Sequence, residues 1–332
     1  MMSELRSPFR LFYVDASKRG RVAEKSLEDL PSGDVLIQAS FSSLNYKDAL
    51  AATGHPGVAR QLPHVPGIDV VGTVAESVDA RFAVGDRVFV TGHELGAPCW
   101  GGWSQYVRVP ADWIMHLPDA INEVGVMALG TAGFTAAQGV LSLQRHAITP
   151  ERGEVLVTGA TGGVGSIAVR LLARLGYTVM AVTGKADQHR LLKDWGATEI
   201  LSRDVFDGPT GKPLWKGRWA GAIDTVGGQP LANVIKQVIH RGCVATCGSV
   251  AGTDLPLTVY PFILRGVTLD GIDSAQCPAA ERAFVWEKLF GPWWLSALES
   301  QSRIVPLTKI AGEVEAMLRG KITGRVIVDL EA

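Results

Sequence analysis

With 332 residues the chain is long enough for two domains, and 47% apolar content with 38 glycines and 17 prolines fits a compact globule with many short connections. Basic and acidic residues are mixed and nearly balanced at a formal charge of -1, with no Lys/Arg block, which argues against nucleic acid or an anionic membrane as partner. Cys99, Cys243, Cys247 and Cys277 form no C-x-x-C pair, the first residues lack the apolar core of a signal peptide, and no window approaches an uninterrupted bilayer-spanning run; together these predict a protein of the cytoplasm.

The chain opens in β style. Residues 9–22 have strand character with a hairpin turn at 17–20, and residues 34–40 (DVLIQAS) alternate as a strand. Residues 45–52 read as a short helix ending at Gly54, followed by a proline-stiffened loop, HPGVARQLPHVPG. Strands at 68–74 and 87–90 flank the tight turn Val84-Gly85-Asp86, and residues 103–109 add another. Many short strands between Gly/Pro turns predict a β-rich, partly closed domain. Helical periodicity at 121–127 and 132–143 then carries the chain into a different style.

The most informative stretch is residues 154–185, EVLVTGATGGVGSIAVRLLARLGYTVMAVTGK. A short β-branched run at 155–157 feeds Gly159, Gly162, Gly163 and Gly165, then a helix pattern from 166 to 175, Gly176, and a second strand at 177–182. This is a βαβ unit with glycines at its first turn, where backbone can approach a pyrophosphate closely and helix N-terminal amides can hold it. Further on, a helix at 187–195 stops at Gly196, a short strand covers 200–201, and residues 207–218 read as a loop or broken helix. Strand 219–224, helix 231–239, strand 243–247, a loop at 248–254 and strand 267–272 continue the α/β pattern. Helix at 280–298 breaks at Gly291-Pro292, helix 310–319 stops at Gly320, and strand 325–330 is predicted to return to the first domain.

In dinucleotide folds an acid at the end of the second strand binds the adenosine ribose of NAD. Here that strand ends in Thr183-Gly184-Lys185, with no acid before Asp187, so NADP(H) is predicted, with Arg203 as a second cation. His55, His64 and His93 are dispersed and the cysteines supply no close thiolate set, so no metal is expected. A G-x-S-x-G elbow is missing, because Ser166 follows Gly165 inside the helix, where helix N-terminal hydrogen bonding is its expected role. In Asn45-Tyr46-Lys47-Asp48, Tyr46 could stack on a nicotinamide, hydrogen-bond a substrate oxygen, or simply pack at a domain edge, and Asp48 could brace local backbone.

Six segments resemble the zinc-independent medium-chain dehydrogenase/reductases, and within them the acrylyl-CoA reductase (NADPH) group, once described as quinone oxidoreductases. They are SSLNYKDALAATG (42–54), PGIDVVGTV (66–74), GDRV (85–88), GTAGFTAA (130–137), TGATGGVGS (158–166) and LPLTVYPFILRGVTLDGIDS (255–274). The resemblance implies an α/β architecture: a GroES-like β-rich catalytic domain with an inserted Rossmann nucleotide-binding domain. Its expected parts are residues 1–125 (catalytic), 126–274 (Rossmann) and 275–332 (return to the catalytic domain). It also implies a homodimer in which 255–272 holds part of the contact. Zinc-dependent relatives place a ligand cysteine where this chain has Asn45 and a His-Glu pair where it has Ile68-Asp69, and they carry a four-cysteine lobe that this chain lacks.

By position, Tyr46 resembles the residue beside the nicotinamide, and Thr161, Gly162, Gly163 and Val164 the pyrophosphate loop. Thr183, Gly184 and Lys185 resemble the 2′-phosphate site, Arg203 its adenosine-side partner, and Cys247, Ser274 and Lys321 further cofactor contacts. The implied reaction is reduction of the activated C=C of acryloyl-CoA to propionyl-CoA with NADPH, Tyr46 positioning the thioester and bonding the enolate. Reduction of quinones or small enones is the alternative acceptor chemistry, and a non-catalytic dinucleotide-binding protein the alternative of another class.

Overall fold

The computed structural model describes residues 8–207 and 211–332. The chain falls into two compact units, one of residues up to Thr131 with Ala275–Cys277 and Ser296–Ala332, the other of Ala132–Ser274 with Pro278–Leu295.

In the first unit, Val35–Ser43 is the centre of a seven-stranded sheet. It pairs antiparallel with Asp69–Ser77, with Tyr106–Val109 and with the late strand Val326–Asp329. Arg303–Pro306 runs parallel to that late strand, while Arg87–Thr91 and then Met115–His116 extend the opposite edge. Residues of these strands share one core, which includes Val35, Ile37, Val70, Val88, Val326 and Val328. Helices Tyr46–Ala52 and Ile310–Leu318 contribute Ala49, Ala52, Ile310 and Val314 to it. The hairpin Phe9–Val14/Gly20–Lys25 is a separate two-stranded sheet.

The second unit is built on a parallel sheet of six strands in the order Glu199–Ser202, Val179–Thr183, Val155–Val157, Trp219–Asp224, Val238–Thr246, Thr268–Gly271. Strand order reverses between Val155–Val157 and Trp219–Asp224, and in open parallel sheets ligands bind beyond the carboxyl ends at such a reversal. These central strands are buried at every position, which is why they read as continuous apolar runs rather than alternating ones. Helix Gly163–Arg174 lays Ile167, Ala168, Leu171 and Leu172 into the interior.

Several expectations change in detail. The helix expected at 231–239 is Gly228–Ile235, and the next strand starts at Val238, because Arg241 in a left-handed conformation (φ 56°) lets the chain turn within the strand span. Residues 278–295 belong to the second unit, whereas 275–332 as a whole was expected to return to the first. Helix Ala279–Phe290 stacks Trp286 on Phe134 at 5.9 Å and sets Arg282 over the same ring, an aromatic anchor without sequence periodicity of its own. Glu123–Arg145 is long and apolar enough to cross a membrane by length and composition, against the expectation that no stretch would be. It is 89% buried in its apolar window, and Gly130 (φ 50°, ψ -157°) breaks it into residues 123–129 and 131–145. The expected loop at 207–218 includes 208–210, outside the described residues, as are residues 1–7 of the N-terminal stretch read for a signal peptide.

Candidate functional site

In the second unit the strand Val155–Val157 leads through Thr158–Thr161 into helix Gly163–Arg174. Gly162 is its N-cap, and no side chain caps it, so first-turn amides without intrahelical partners are left for another acceptor. The turn depends on glycine. A Cβ at Gly165 would lie 2.3 Å from the Gly159 carbonyl oxygen, so only glycine lets the helix start against the loop. The Ser166 hydroxyl donates to the Gly163 carbonyl at 3.1 Å, inside that first turn.

Thr161 and Thr183 bring the glycine loop and the end of the second strand together, their hydroxyls 3.3 Å apart. The Lys185 N–H donates to the Thr183 hydroxyl at 3.1 Å. Lys185 is half-buried, and burial holds its ammonium below the usual lysine range, with Asp187 partly offsetting this. The exposed Arg203 lies on the other side of Gly184, close enough that a Cβ there would meet its Cδ at 2.8 Å. A half-buried ammonium and a guanidinium thus flank one glycine at the strand end, a pattern able to take a phosphate monoester.

Asp224 closes the neighbouring strand, Trp219–Asp224. It is fully buried, accepting from the Thr158 hydroxyl (2.7 Å), the Gly227 N–H (2.9 Å) and the Thr246 hydroxyl (3.2 Å). Burial raises its pKa. It therefore ties together three strand ends at the point of reversal. Cys247 sits beside it, its thiol donating to the Asp224 carbonyl at 3.4 Å and pushed up to about 12 by burial.

The first unit holds a different constellation. Asn45 caps helix Tyr46–Ala52, whose first residue, Tyr46, is 40% exposed. Asp48 is fully buried and braces two segments: Oδ2 accepts from the Asn45 N–H (2.8 Å), and Oδ1 from the Gly67 (3.1 Å) and Ile68 (2.8 Å) amides. Burial, then the nearby Asp69 carboxylate, raises Asp48 to about 7. Asp69 accepts from the Ser43 hydroxyl (2.6 Å), Asn45 Nδ2 (2.9 Å), the Thr131 N–H (3.0 Å) and the Thr131 hydroxyl (2.6 Å).

Arg325 completes this network from the late strand. Its guanidinium donates to Asn45 Oδ1 at 3.0 Å and to the carbonyls of Ala128, Met127 and Leu44, and lies 3.9 Å from Asp69 Oδ2. Burial lowers its pKa while Asp69 and Asp48 oppose that shift. A Cβ at Gly130 would lie 2.5 Å from Asp69 Oδ2, so the positive-φ glycine admits the carboxylate to the helix start at Thr131.

Of the sequence-predicted residues, the second unit brings Thr161, Gly162, Gly163, Val164, Thr183, Gly184, Lys185 and Arg203 to the loop and adjoining strand ends. Cys247 closes the strand after next. Ser274 follows the edge strand, its carbonyl accepting from Arg282 at 3.0 Å. Tyr46 and the exposed Lys321 belong to the first unit. Asp69, Arg325 and Asp224 were not singled out as site residues; a buried acid inside an apolar strand run was the available signal for Asp69 and Asp224, and nothing local marks Arg325.

Two family models match the chain, the alcohol dehydrogenase GroES-like domain at residues 31–119 and a model described as zinc-binding dehydrogenase at residues 163–289. Acrylyl-CoA reductase AcuI of Ruegeria pomeroyi is 45% identical over 311 residues, 94% of each chain. The structure of the Salmonella enterica yhdH oxidoreductase in complex with NADP is 44% identical with a TM-score of 0.92, over 97% of this chain and 99% of that one. YhfP of Bacillus subtilis, carried under a quinone oxidoreductase name, is 47% identical over 92% of this chain and 93% of its own. Its NAD-bound structure matches with a TM-score of 0.92 over 98% of this chain and 100% of that one. The chain belongs to the medium-chain dehydrogenase/reductase superfamily, in the group that holds these acrylyl-CoA reductases and YhfP.

The zinc in the description of the second family model does not suit the residues here. At the positions where zinc-dependent relatives place ligands stand an amide, Asn45, an alkyl chain, Ile68, and Asp69, whose oxygens already accept from Ser43, Asn45 and Thr131. The Arg325 cation lies beside that carboxylate, and a divalent ion there would face its repulsion.

Proposed function

We propose that this oxidoreductase uses NADPH to reduce the activated C=C bond of acryloyl-CoA to propionyl-CoA. The observation that carries the reading is 45% identity to an acrylyl-CoA reductase along 94% of both chains. A nicotinamide dinucleotide fits the second unit: the uncapped helix start at Gly162 and Gly163 with Thr161 and Val164 takes the pyrophosphate, and Thr183, Gly184, Lys185 and Arg203 take the 2′-phosphate. When bound, NADPH supplies the hydride that a Michael acceptor takes at its β-carbon.

The thioester carbonyl then gathers negative charge as an enolate, which needs a hydrogen-bond donor, and water supplies the proton for the α-carbon. Tyr46 is assigned the enolate contact, its phenol carried on a helix start that Asn45 and Asp48 hold in place. Cys247, Ser274 and Lys321 are assigned as further cofactor contacts. We assign parts at residues 1–125, 126–274 and 275–332, with 278–295 grouped with the second; the family matches at 31–119 and 163–289 support the first two. We also assign a homodimer, supported by exposed Val259, Tyr260, Ile263 and Leu264 next to the edge strand Thr268–Gly271, and a place in the cytoplasm.

The quinone oxidoreductase name of YhfP favours a second reading, reduction of quinones or small enones at the same site. Purified protein with NADPH or NADH is assayed by nicotinamide absorbance against acryloyl-CoA, crotonyl-CoA, a benzoquinone and no acceptor. Fast NADPH oxidation with acryloyl-CoA and none with quinone is expected. The reverse pattern establishes the second reading, and NADPH binding without oxidation in every well removes both.

A further inference from the structure

Exposed cations occur from the start of helix Tyr46–Ala52 to the hairpin and loop at its opposite end, and nothing in the chemistry above uses them. The hairpin tip between Phe9–Val14 and Gly20–Lys25 packs on this end: a Cβ at Gly20 would lie 3.0 Å from the Ala52 carbonyl, and one at Gly54 would lie 2.7 Å from Lys18 Cγ. The loop after the helix folds back along the hairpin, Val14 and His64 exchanging backbone hydrogen bonds at 2.8 and 2.9 Å in antiparallel sense. Lys18 and Arg19 on the tip, Lys47 on the helix and Arg60 in the loop are all exposed.

Among the described residues the side chains of Lys18, Arg19, Lys47 and Arg60 have no ion-pair partner, whereas Arg21 is paired with Asp15 at 2.9 Å. The acid nearest in sequence on the helix, Asp48, is buried and turned inward to Asn45, Gly67 and Ile68. The helix presents Tyr46 and Lys47 at its start, and Thr53 is its C-cap, about 10 Å away at 1.5 Å per residue. A substrate whose acyl end meets Tyr46 therefore has an unneutralised cationic surface one short arm away.

We propose that Lys18, Arg19, Lys47 and Arg60 form the docking site for the phosphorylated nucleotide end of the acyl-CoA, with its pantetheine arm running along helix Tyr46–Ala52 from Tyr46. The proposal rests on the acyl-CoA reading above and adds where the tail binds. A phosphate monoester and a pyrophosphate match dispersed, unpaired guanidinium and ammonium groups, and guanidinium forks bind phosphate in paired hydrogen bonds. The contact is remote from the reacting carbons, so it strengthens binding of the whole CoA thioester and not of the acyl end alone.

The test compares acryloyl-CoA with acryloyl-pantetheine, which lacks every phosphate. In the triple variant Lys18→Asn, Arg19→Gln, Arg60→Gln, kcat/KM for acryloyl-CoA is expected to fall on the order of tenfold, mainly through KM. With acryloyl-pantetheine, kcat/KM stays unchanged, as do the KM for NADPH and the melting temperature. Asparagine is chosen at residue 18 because it tolerates the left-handed backbone there (φ 63°). Adenosine 3′,5′-bisphosphate is expected to compete with acryloyl-CoA in the parent and to lose that competition in the variant. An unchanged acryloyl-CoA KM, or equal losses on both thioesters, overturns the docking site while leaving the reductase reading intact. A parent protein that reduces neither thioester overturns both.

Discussion

The two units solve opposite electrostatic problems. The second prepares a place for negative charge that is not its own, with an uncapped helix start at Gly162 and cations around Gly184. The first has buried its own charges, Asp48, Asp69 and Arg325, and satisfied them with hydroxyls, amides and one another. The uncapped helix start leaves backbone donors for a ligand, whereas the buried network meets its charges internally. Changes in the buried network of the first unit should therefore read out in stability, and changes in the cradle in affinity.

The largest effect is expected at Arg325. Arg325→Met leaves Asp69 and Asp48 buried without their cation and should cost about 3–5 kcal/mol in urea unfolding, with NADPH affinity within about twofold of the parent in those molecules that fold. Asp69→Asn combined with Arg325→Met should recover part of that loss, since removing both charges leaves neither stranded. A loss below about 1 kcal/mol, or no recovery in the double variant, breaks the comparison on this side.

Asp48 gives a smaller effect with a definite sign. Its carboxyl titrates at about 7 in the folded chain against 3.8 ordinarily. Between those values the folded state holds a proton that the unfolded state has released, so this contribution to stability is greatest below about pH 4 and is lost as pH rises to 7. The parent's unfolding free energy, relative to that of Asp48→Asn, is expected to drop by about 2–3 kcal/mol from pH 5 to 8. Parallel pH profiles for the two proteins would refute the assignment.

The smallest effect sharpens the comparison from the other unit. Lys185→Ala should raise the KM for NADPH on the order of tenfold and leave that for NADH and the melting temperature unchanged. Equal effects on the two cofactors would remove Lys185 from the 2′-phosphate.

Legibility in the sequence divides along the same line. The cradle lies within one βαβ stretch, so glycine spacing, strand pattern and the acid-free strand end were all visible in a single window. The buried network is assembled from Asn45, Asp69, Thr131 and Arg325, residues that no periodicity connects. Only the Asp48 brace was foreseeable there, because Asn45 and Asp48 stand three apart at a helix start, a local capping relation. The misjudged end of helix Gly228–Ile235 has a similar origin: Ile235 and Val238 suit either periodicity, and the turn at Arg241 is set by tertiary packing.

Arg325 is separated from Asn45 by 280 positions, and that interval has a consequence for biosynthesis. Domains commonly fold in order of emergence from the ribosome, N-terminal first. In this protein every residue of the second unit, up to 295, has been made before Arg325 and the strand Val326–Asp329 exist. The unit begun first is therefore closed only after the second is made, and its carboxylates wait for a cation encoded beyond all of the second unit. A nascent chain interrupted between residues 295 and 325 would carry a complete nucleotide-binding unit and a first unit still lacking Val326, Val328 and the Arg325 cation of its core.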